Sequence, residues 1–237
     1  MITSSRYNRL YIFAGPTASG SGVDMTSTES VQFRPPVRRG DIEKLIASNP
    51  EPANIAIVDG TYFTYPAVGH IEIRDALERG WTVWGISSMG AIRAFEMREH
   101  GMKGFGRVYN AFFQEDDLQD DEVALLHGDE PPYFALTEPL IHLRTFLSDM
   151  ADTGRITTAA ANSVCSQLKS LWFGRRTLAL FSALLGAEPG GVRLSVDELR
   201  TALKPHRIKT LDFEDFMRER PWISLDIPVA SAASALG

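Results

Sequence analysis

The chain has 237 residues, 44% of them hydrophobic and 23% charged, which excludes an overall disordered, collagenous or coiled-coil chain and suits one generous α/β domain with or without an annex. A net charge of −6 argues against a dominant electrostatic footprint for nucleic acid. Cys165 is the only cysteine, so an intramolecular disulfide and a cysteine–histidine zinc cluster are both excluded.

The 24 basic residues divide into 5 Lys and 19 Arg. Lysine can act as a neutral base while arginine stays protonated, so a lysine-dependent mechanism has few candidates. Arg6 and Arg9 precede an apolar run, Leu10–Ala14, that is far shorter than a signal-peptide core. No run is long enough to span a bilayer, and the cytoplasm is the expected compartment.

In chain order, Leu10–Ala14 reads as a first buried strand. The loop after it, Gly15 to Gly22, has the glycine spacing of a Walker A loop, but Ser21 and Gly22 stand where Lys and Ser/Thr would reach phosphate and magnesium. It reads instead as a flexible loop at a strand's carboxyl end. Arg34-Pro35-Pro36-Val37-Arg38-Arg39-Gly40-Asp41 is an extended basic segment entering a helix over Asp41–Ser48, with Asp41 as its N-cap. Ile55–Val58 is a second strand, ending at Asp59. Pro66–Arg79 reads as a helix, with Gly80 after its end. His70 shares a face with Ile73 and Leu77 there, which predicts an inward histidine.

Thr82–Ile86 is a third strand, followed by Ser87-Ser88 and a helix over Met89–Glu99. A strand, a sharp turn with a serine and a helix N-terminus form the setting of a nucleophile elbow, although an extra serine breaks the Gly-x-Ser-x-Gly spacing. The plainer alternative is that Ser87 or Ser88 caps the helix. The acidic stretch Glu115–Glu122 reads as a solvated loop with a possible docking role, and Val123–Leu126 as a fourth strand. Beyond Pro131-Pro132 the periodicity is helical: Leu140, Leu143, Leu147 and Met150 share one face, and Leu178, Phe181 and Leu185 another. Ser195–Leu203 and Asp212–Phe216 are two further helices. The expected architecture is an α/β core with a mainly parallel sheet over residues 1–130, a mostly helical annex over 131–218, and a tail over 219–237. In such a core the site lies at the carboxyl ends of the strands, which brings Thr17, Asp59 and Ser88 toward one cleft with His70 nearby.

Several blocks, in collinear order from about residue 10 to 130, resemble the TfuA-like core domain. They are Gly15-Pro16-Thr17, Arg34-Pro35-Pro36 with Arg39-Gly40-Asp41, Val58-Asp59-Gly60, Pro66-Ala67-Val68 with His70 and Glu72, and Gly85-Ile86-Ser87-Ser88-Met89-Gly90-Ala91-Ile92-Arg93-Ala94. Further along come Gly101-Met102, Gly104-Phe105-Gly106-Arg107, Asp120-Asp121-Glu122-Val123-Ala124 and His127-Gly128. More weakly, Glu138-Pro139-Leu140 and Arg176-Thr177 extend the resemblance.

The resemblance implies work beside a YcaO-type enzyme in peptide-backbone thioamidation, in which the YcaO partner activates a backbone amide with ATP. The TfuA-like protein would hydrolyse the thiocarboxylate of a ThiS-type sulfur-carrier protein, freeing sulfide, and would help engage the precursor peptide or protein substrate. No cofactor, metal, nucleic acid or membrane is expected.

The family's serine–lysine pair carries over to Ser88, but its lysine falls within His70-Ile71-Glu72, where Ile71 stands. Either His70 is then the base for Ser88, or, sulfide being a good leaving group, an oxyanion hole and activated water suffice. Backbone N–H groups around Met89 and Gly90 would hold the oxyanion, and Arg93 would anchor the site or attract the carrier tail. Arg39, Asp121 and Glu122 are further binding candidates from the matching blocks. The alternative is a non-catalytic adaptor in which Ile71 has removed the chemistry.

Overall fold

The computed structural model describes residues 8–61, 65–115 and 117–223. The expected tail lies outside them beyond Ile223, as does Asp116 of the acidic stretch. Strands β1 (Leu10–Phe13), β2 (Val31–Arg34), β3 (Asn54–Ile57), β4 (Thr82–Ile86) and β5 (Lys103–Phe105) form one parallel sheet in the order β2-β1-β3-β4-β5. Helices α1 (Pro16–Ser19), α2 (Asp41–Ser48), α3 (His70–Glu78), α4 (Met89–Glu96) and α5 (Arg107–Gln114) intervene. After them come α6 (Leu140–Asp152), α7 (Thr158–Lys169), α8 (Leu178–Ala187), α9 (Val196–Ala202) and α10 (Ile208–Glu219). Among the described residues no helix is long and apolar enough to cross a membrane.

Beyond Asn54 and Thr82 at their starts, the central strands are apolar because both faces are covered. Tyr11, Phe13, Ile55, Ile57 and Val83 pack under α2, α3 and α4. On the opposite face, Leu10, Ile12, Ala56, Val58, Trp84 and Ile86 pack under Phe213 and Phe216 of α10 and under Trp222. Helix α10, inside the segment expected as annex, thus closes the second face of the sheet. The remaining C-terminal helices share their own core, with Leu143, Phe146, Val164, Phe181 and Leu199 at its centre.

Val123–Leu126 is not a strand. A 3-10 turn at Asp120–Glu122 leads into it, and Val123 packs with Ala91, Val108 and Ile141 in a helix-lined cluster rather than beside a strand. The additional strands are the edges β2 and β5: β2 alternates apolar and polar over only four residues, and β5, Lys103-Gly104-Phe105, is too short to show a period. Helix α3 starts at His70, not Pro66. Its start is fixed by Glu72, whose carboxylate accepts the N–H of Gly69 at 2.8 Å while also accepting those of Gly40 at 2.9 Å and Ile42 at 3.3 Å. One buried side chain therefore satisfies the first turns of two helices. Gly40, with φ of 84°, is the N-cap of α2, and Asp41 is that helix's first residue.

Helix α4 approaches the sheet at backbone contact. A Cβ on Gly90 would lie 1.7 Å from the Ile57 carbonyl oxygen, and one on Gly85 would lie 2.0 Å from that of Gly90. Gly90→Ala should therefore lower unfolding free energy by about 3 kcal/mol or more. Urea denaturation measures this, and a near-neutral result would contradict the packing.

Candidate active site

The order β2-β1-β3-β4-β5 reverses direction between β1 and β3, and the loops leaving those strands mark the natural crevice of an open parallel sheet. The loop after β1 is not wholly irregular. It forms the one-turn α1, tied to β3 by Asp59, whose Oδ2 accepts the N–H groups of Gly15 at 2.8 Å and Thr17 at 3.0 Å. Its Oδ1 accepts the Thr17 hydroxyl at 2.7 Å.

The turn after β4 separates its two serines. Ser87, at φ 65°, is fully buried, and its hydroxyl donates to the Lys209 carbonyl at 2.8 Å. Ser88 occupies the N-cap position of α4 but makes no side-chain cap bond. Its Oγ is instead 3.5 Å from the Val123 carbonyl oxygen. The N–H of Met89, first residue of α4, is one of the donors a helix leaves without an intrahelical partner.

A second group reaches the same carbonyl. Lys209, at the start of α10, is buried, and its Nζ donates to Val123 O at 2.8 Å. Burial pushes this amine down from 10.5 to about 8, with the carboxylates of Asp59 and Glu138 acting in the opposite sense. The Lys209 backbone is held at both ends. Ser87 binds its carbonyl, and its N–H donates to His142 Nε2 at 3.3 Å. That bond makes Nε2 an acceptor and places the ring proton on Nδ1, 2.7 Å from Glu138 Oε1. Burial pushes the His142 pKa down, which keeps the ring neutral. Burial also opposes ionisation of Glu138, but His142 and the Arg207 guanidinium outweigh it and hold the carboxyl down at about 2.

The acidic stretch is solvated at Asp117 and Asp120, but its end is not. Glu122 is fully buried and takes both arms of the Arg144 guanidinium at 3.0 Å, with Lys169 at 3.3 Å. Asp121 receives Arg176 at 2.6 Å. Arg176 itself is fully buried and also donates to the carbonyls of Asp121, Leu168 and Leu171. Arg144 of α6, Lys169 of α7 and Arg176, just before α8, thus anchor the acidic turn, and the next residue presents the carbonyl to which Ser88 and Lys209 point.

Ser88, Lys209, Asp59, Arg38, His127 and Tyr133 are among the residues lining a cleft of about 100 Å³. Of the sequence-predicted residues, Ser88 and Asp59 line it, Thr17 is tied to Asp59, and Met89 and Gly90 are buried in the first turn of α4 behind Ser88 without lining it. His70 does not point inward. It is exposed at the N-terminus of α3, its Nε2 2.8 Å from Glu96 Oε2, because the helix begins there and the expected face has not yet formed. Arg93 binds Val68 O at 3.1 Å and Glu96 at 2.6 Å, and Arg39 binds Ala67 O at 3.3 Å, so neither lines the cleft. Asp121 and Glu122 are occupied by their ion pairs.

The sequence reading missed Lys209. Its signal is position: Lys209, Phe213 and Phe216 fall at i, i+4 and i+7 on the apolar stripe of α10, where an unpaired cation is out of place.

The buried amine makes a stability prediction. Below pH 8 it is protonated in both folded and unfolded chains, and its burial opposes folding by about 3 kcal/mol. Between 8 and 10.5 only the unfolded chain keeps the proton, so stability rises with pH and the penalty fades. Lys209→Met should therefore resist urea better than wild type at pH 7, with the advantage shrinking toward pH 10. Equal midpoints at pH 7 would contradict a strained amine.

A search of curated proteins finds no match for this chain. The family model for TfuA-like protein matches residues 59–177, a span that begins at Asp59, contains the Ser87-Ser88 turn and the anchored acidic turn, and stops before Lys209. With half of its length matched in this way, the chain belongs to the TfuA-like protein family.

Proposed function

We propose that this protein hydrolyses the C-terminal thiocarboxylate of a small ThiS-type sulfur-carrier protein. The sulfide passes to a YcaO-type partner for thioamidation of a peptide or protein backbone, in the cytoplasm. The observation that carries the reading is the convergence of the Ser88 hydroxyl and the buried Lys209 amine on the Val123 carbonyl. An amine with a pKa of about 8 has a substantial neutral fraction near physiological pH, and only that form takes a proton.

In this mechanism neutral Lys209 accepts the Ser88 proton as Oγ adds to the thiocarboxylate carbon. The N–H of Met89 faces the developing oxyanion, an interaction typically worth about 3 kcal/mol. The C–S bond then breaks, and the Lys209 proton leaves with the sulfur. Water, deprotonated by Lys209, hydrolyses the Ser88 ester and releases the carrier carboxylate. Lys209 thereby supplies the lysine of the serine–lysine pair that the resemblance implies. Ile71 is 69% exposed on α3, so a lysine at that position would face solvent and not Ser88.

Sulfide release from a thiocarboxylated carrier should fall at least about 1000-fold in Ser88→Ala and in Lys209→Met. In wild type, kcat/KM should climb as pH rises through about 8, because the base must lose its proton first. Full activity in Lys209→Met with loss in His70→Ala would move the base to His70. Absence of sulfide release by wild type, with retained YcaO binding, would favour the adaptor.

A further inference from the structure

The proposed substrate is an anion, and the machinery described above does not neutralise it. When Ser88 Oγ adds to a thiocarboxylate, the tetrahedral carbon carries negative charge on both oxygen and sulfur. Met89 N–H can face one of them. Lys209 cannot face the other at the outset, because it must begin neutral to take the serine proton. Asp59, also at the cleft, worsens the balance, although its oxygens are turned to Gly15 and Thr17. The cleft therefore needs a cation that stays charged and has hydrogen-bonding capacity to spare.

Arg38 meets both requirements. Among the described residues it is the one arginine lining the cleft. Its guanidinium lies over the Tyr65 ring, with the central carbon 3.6 Å from the ring centroid. Its Nε is buried without a hydrogen-bond partner among the described residues. An orphaned buried N–H is a costly feature in a native fold unless a ligand completes it. Stacking occupies the face of the guanidinium and leaves the in-plane N–H edge for an acceptor. Arg34 also has an unpartnered Nε and shares a neighbouring cavity with Arg38, but it lies over Tyr11 and does not line the cleft that holds Ser88.

We propose that Arg38, steadied on Tyr65, binds the charged sulfur of the substrate thiocarboxylate and makes this cleft selective for thiocarboxylate anions over neutral thioesters. The inference rests on the thiocarboxylate hydrolysis proposed above. Arg38 would pair the charged sulfur through addition, and as the C–S bond breaks the Lys209 ammonium gives that sulfur its proton, so that it leaves as hydrosulfide beside Arg38.

Two small probes of one shape separate charge from packing: thiobenzoate, an anion, and S-methyl thiobenzoate, a neutral thioester. Arg38→Met should lower kcat/KM for thiobenzoate about 10- to 100-fold, the worth of one charge-assisted hydrogen bond, with little change for the thioester. Arg38→Lys should recover part of the loss. An equal fall for both probes would make Arg38 structural and overturn the proposal.

Calorimetric binding of thiobenzoate to Ser88→Ala, alone and combined with Arg38→Met, gives a readout without turnover. Affinity about tenfold weaker in the double variant supports the proposal, and equal or absent binding in both overturns it. If wild type binds thiobenzoate through Arg38 yet releases no sulfide, the hydrolysis reading fails while the anion site stands.

Discussion

Lys209 has its side chain out of water, and its amine donates to a single backbone carbonyl, that of Val123. A lysine tolerates such a place only when its surroundings leave it no other, and three separate regions supply that restraint. Ser87, at the end of β4, holds the Lys209 carbonyl, and His142 on α6 takes its N–H. The acceptor itself is fixed because Asp121 and Glu122, just before Val123, are held by Arg176, Arg144 and Lys169. The C-terminal helices are thus less an appendage than a frame, which brings one amine and one carbonyl to the carboxyl end of a parallel sheet.

Buried carboxylates do much of the joining. Asp59 stitches the loop after β1 to β3, Glu72 serves the N-termini of α2 and α3 together, and Asp212 on α10 accepts Val108 N–H at 2.9 Å at the start of α5. All three are buried and all accept backbone N–H groups near helix starts, where negative charge is favoured. A negative net charge is therefore not solely a property of the surface.

Apolar runs in the sequence revealed β1, β3 and β4, because a strand buried on both faces is a continuous apolar string. They also located the serine turn at the end of β4. Edge strands β2 and β5 escaped for the opposite reason, being short and half-covered. Val123–Leu126 misled because burial among helices and burial in a sheet leave the same short apolar trace. The acidic stretch misled because its partners lie on helices distant in the chain. Within the site, Ser88 and Asp59 were legible from their places at strand ends. Lys209 was not, since 122 residues separate Ser87 from the lysine whose carbonyl it holds, and no local pattern records a contact of that range. The resemblance to TfuA-like proteins supplied the expectation of a lysine, and the packing of α10 places the Lys209 amine beside Ser88 on the Val123 carbonyl.

The return of α10 across the sheet also has a consequence for biosynthesis. A nascent chain grows from its N-terminus at roughly 5–20 residues per second, so β1 to β5 emerge well before α10. Until residues 208–219 leave the ribosome, Leu10, Ile12, Ala56, Val58, Trp84 and Ile86 lack their cover, and the cleft lacks its amine. Completion of the core and arrival of the Lys209 amine are one event. A prematurely terminated chain would carry Ser88 without Lys209 and would display an apolar sheet face that marks it for quality control.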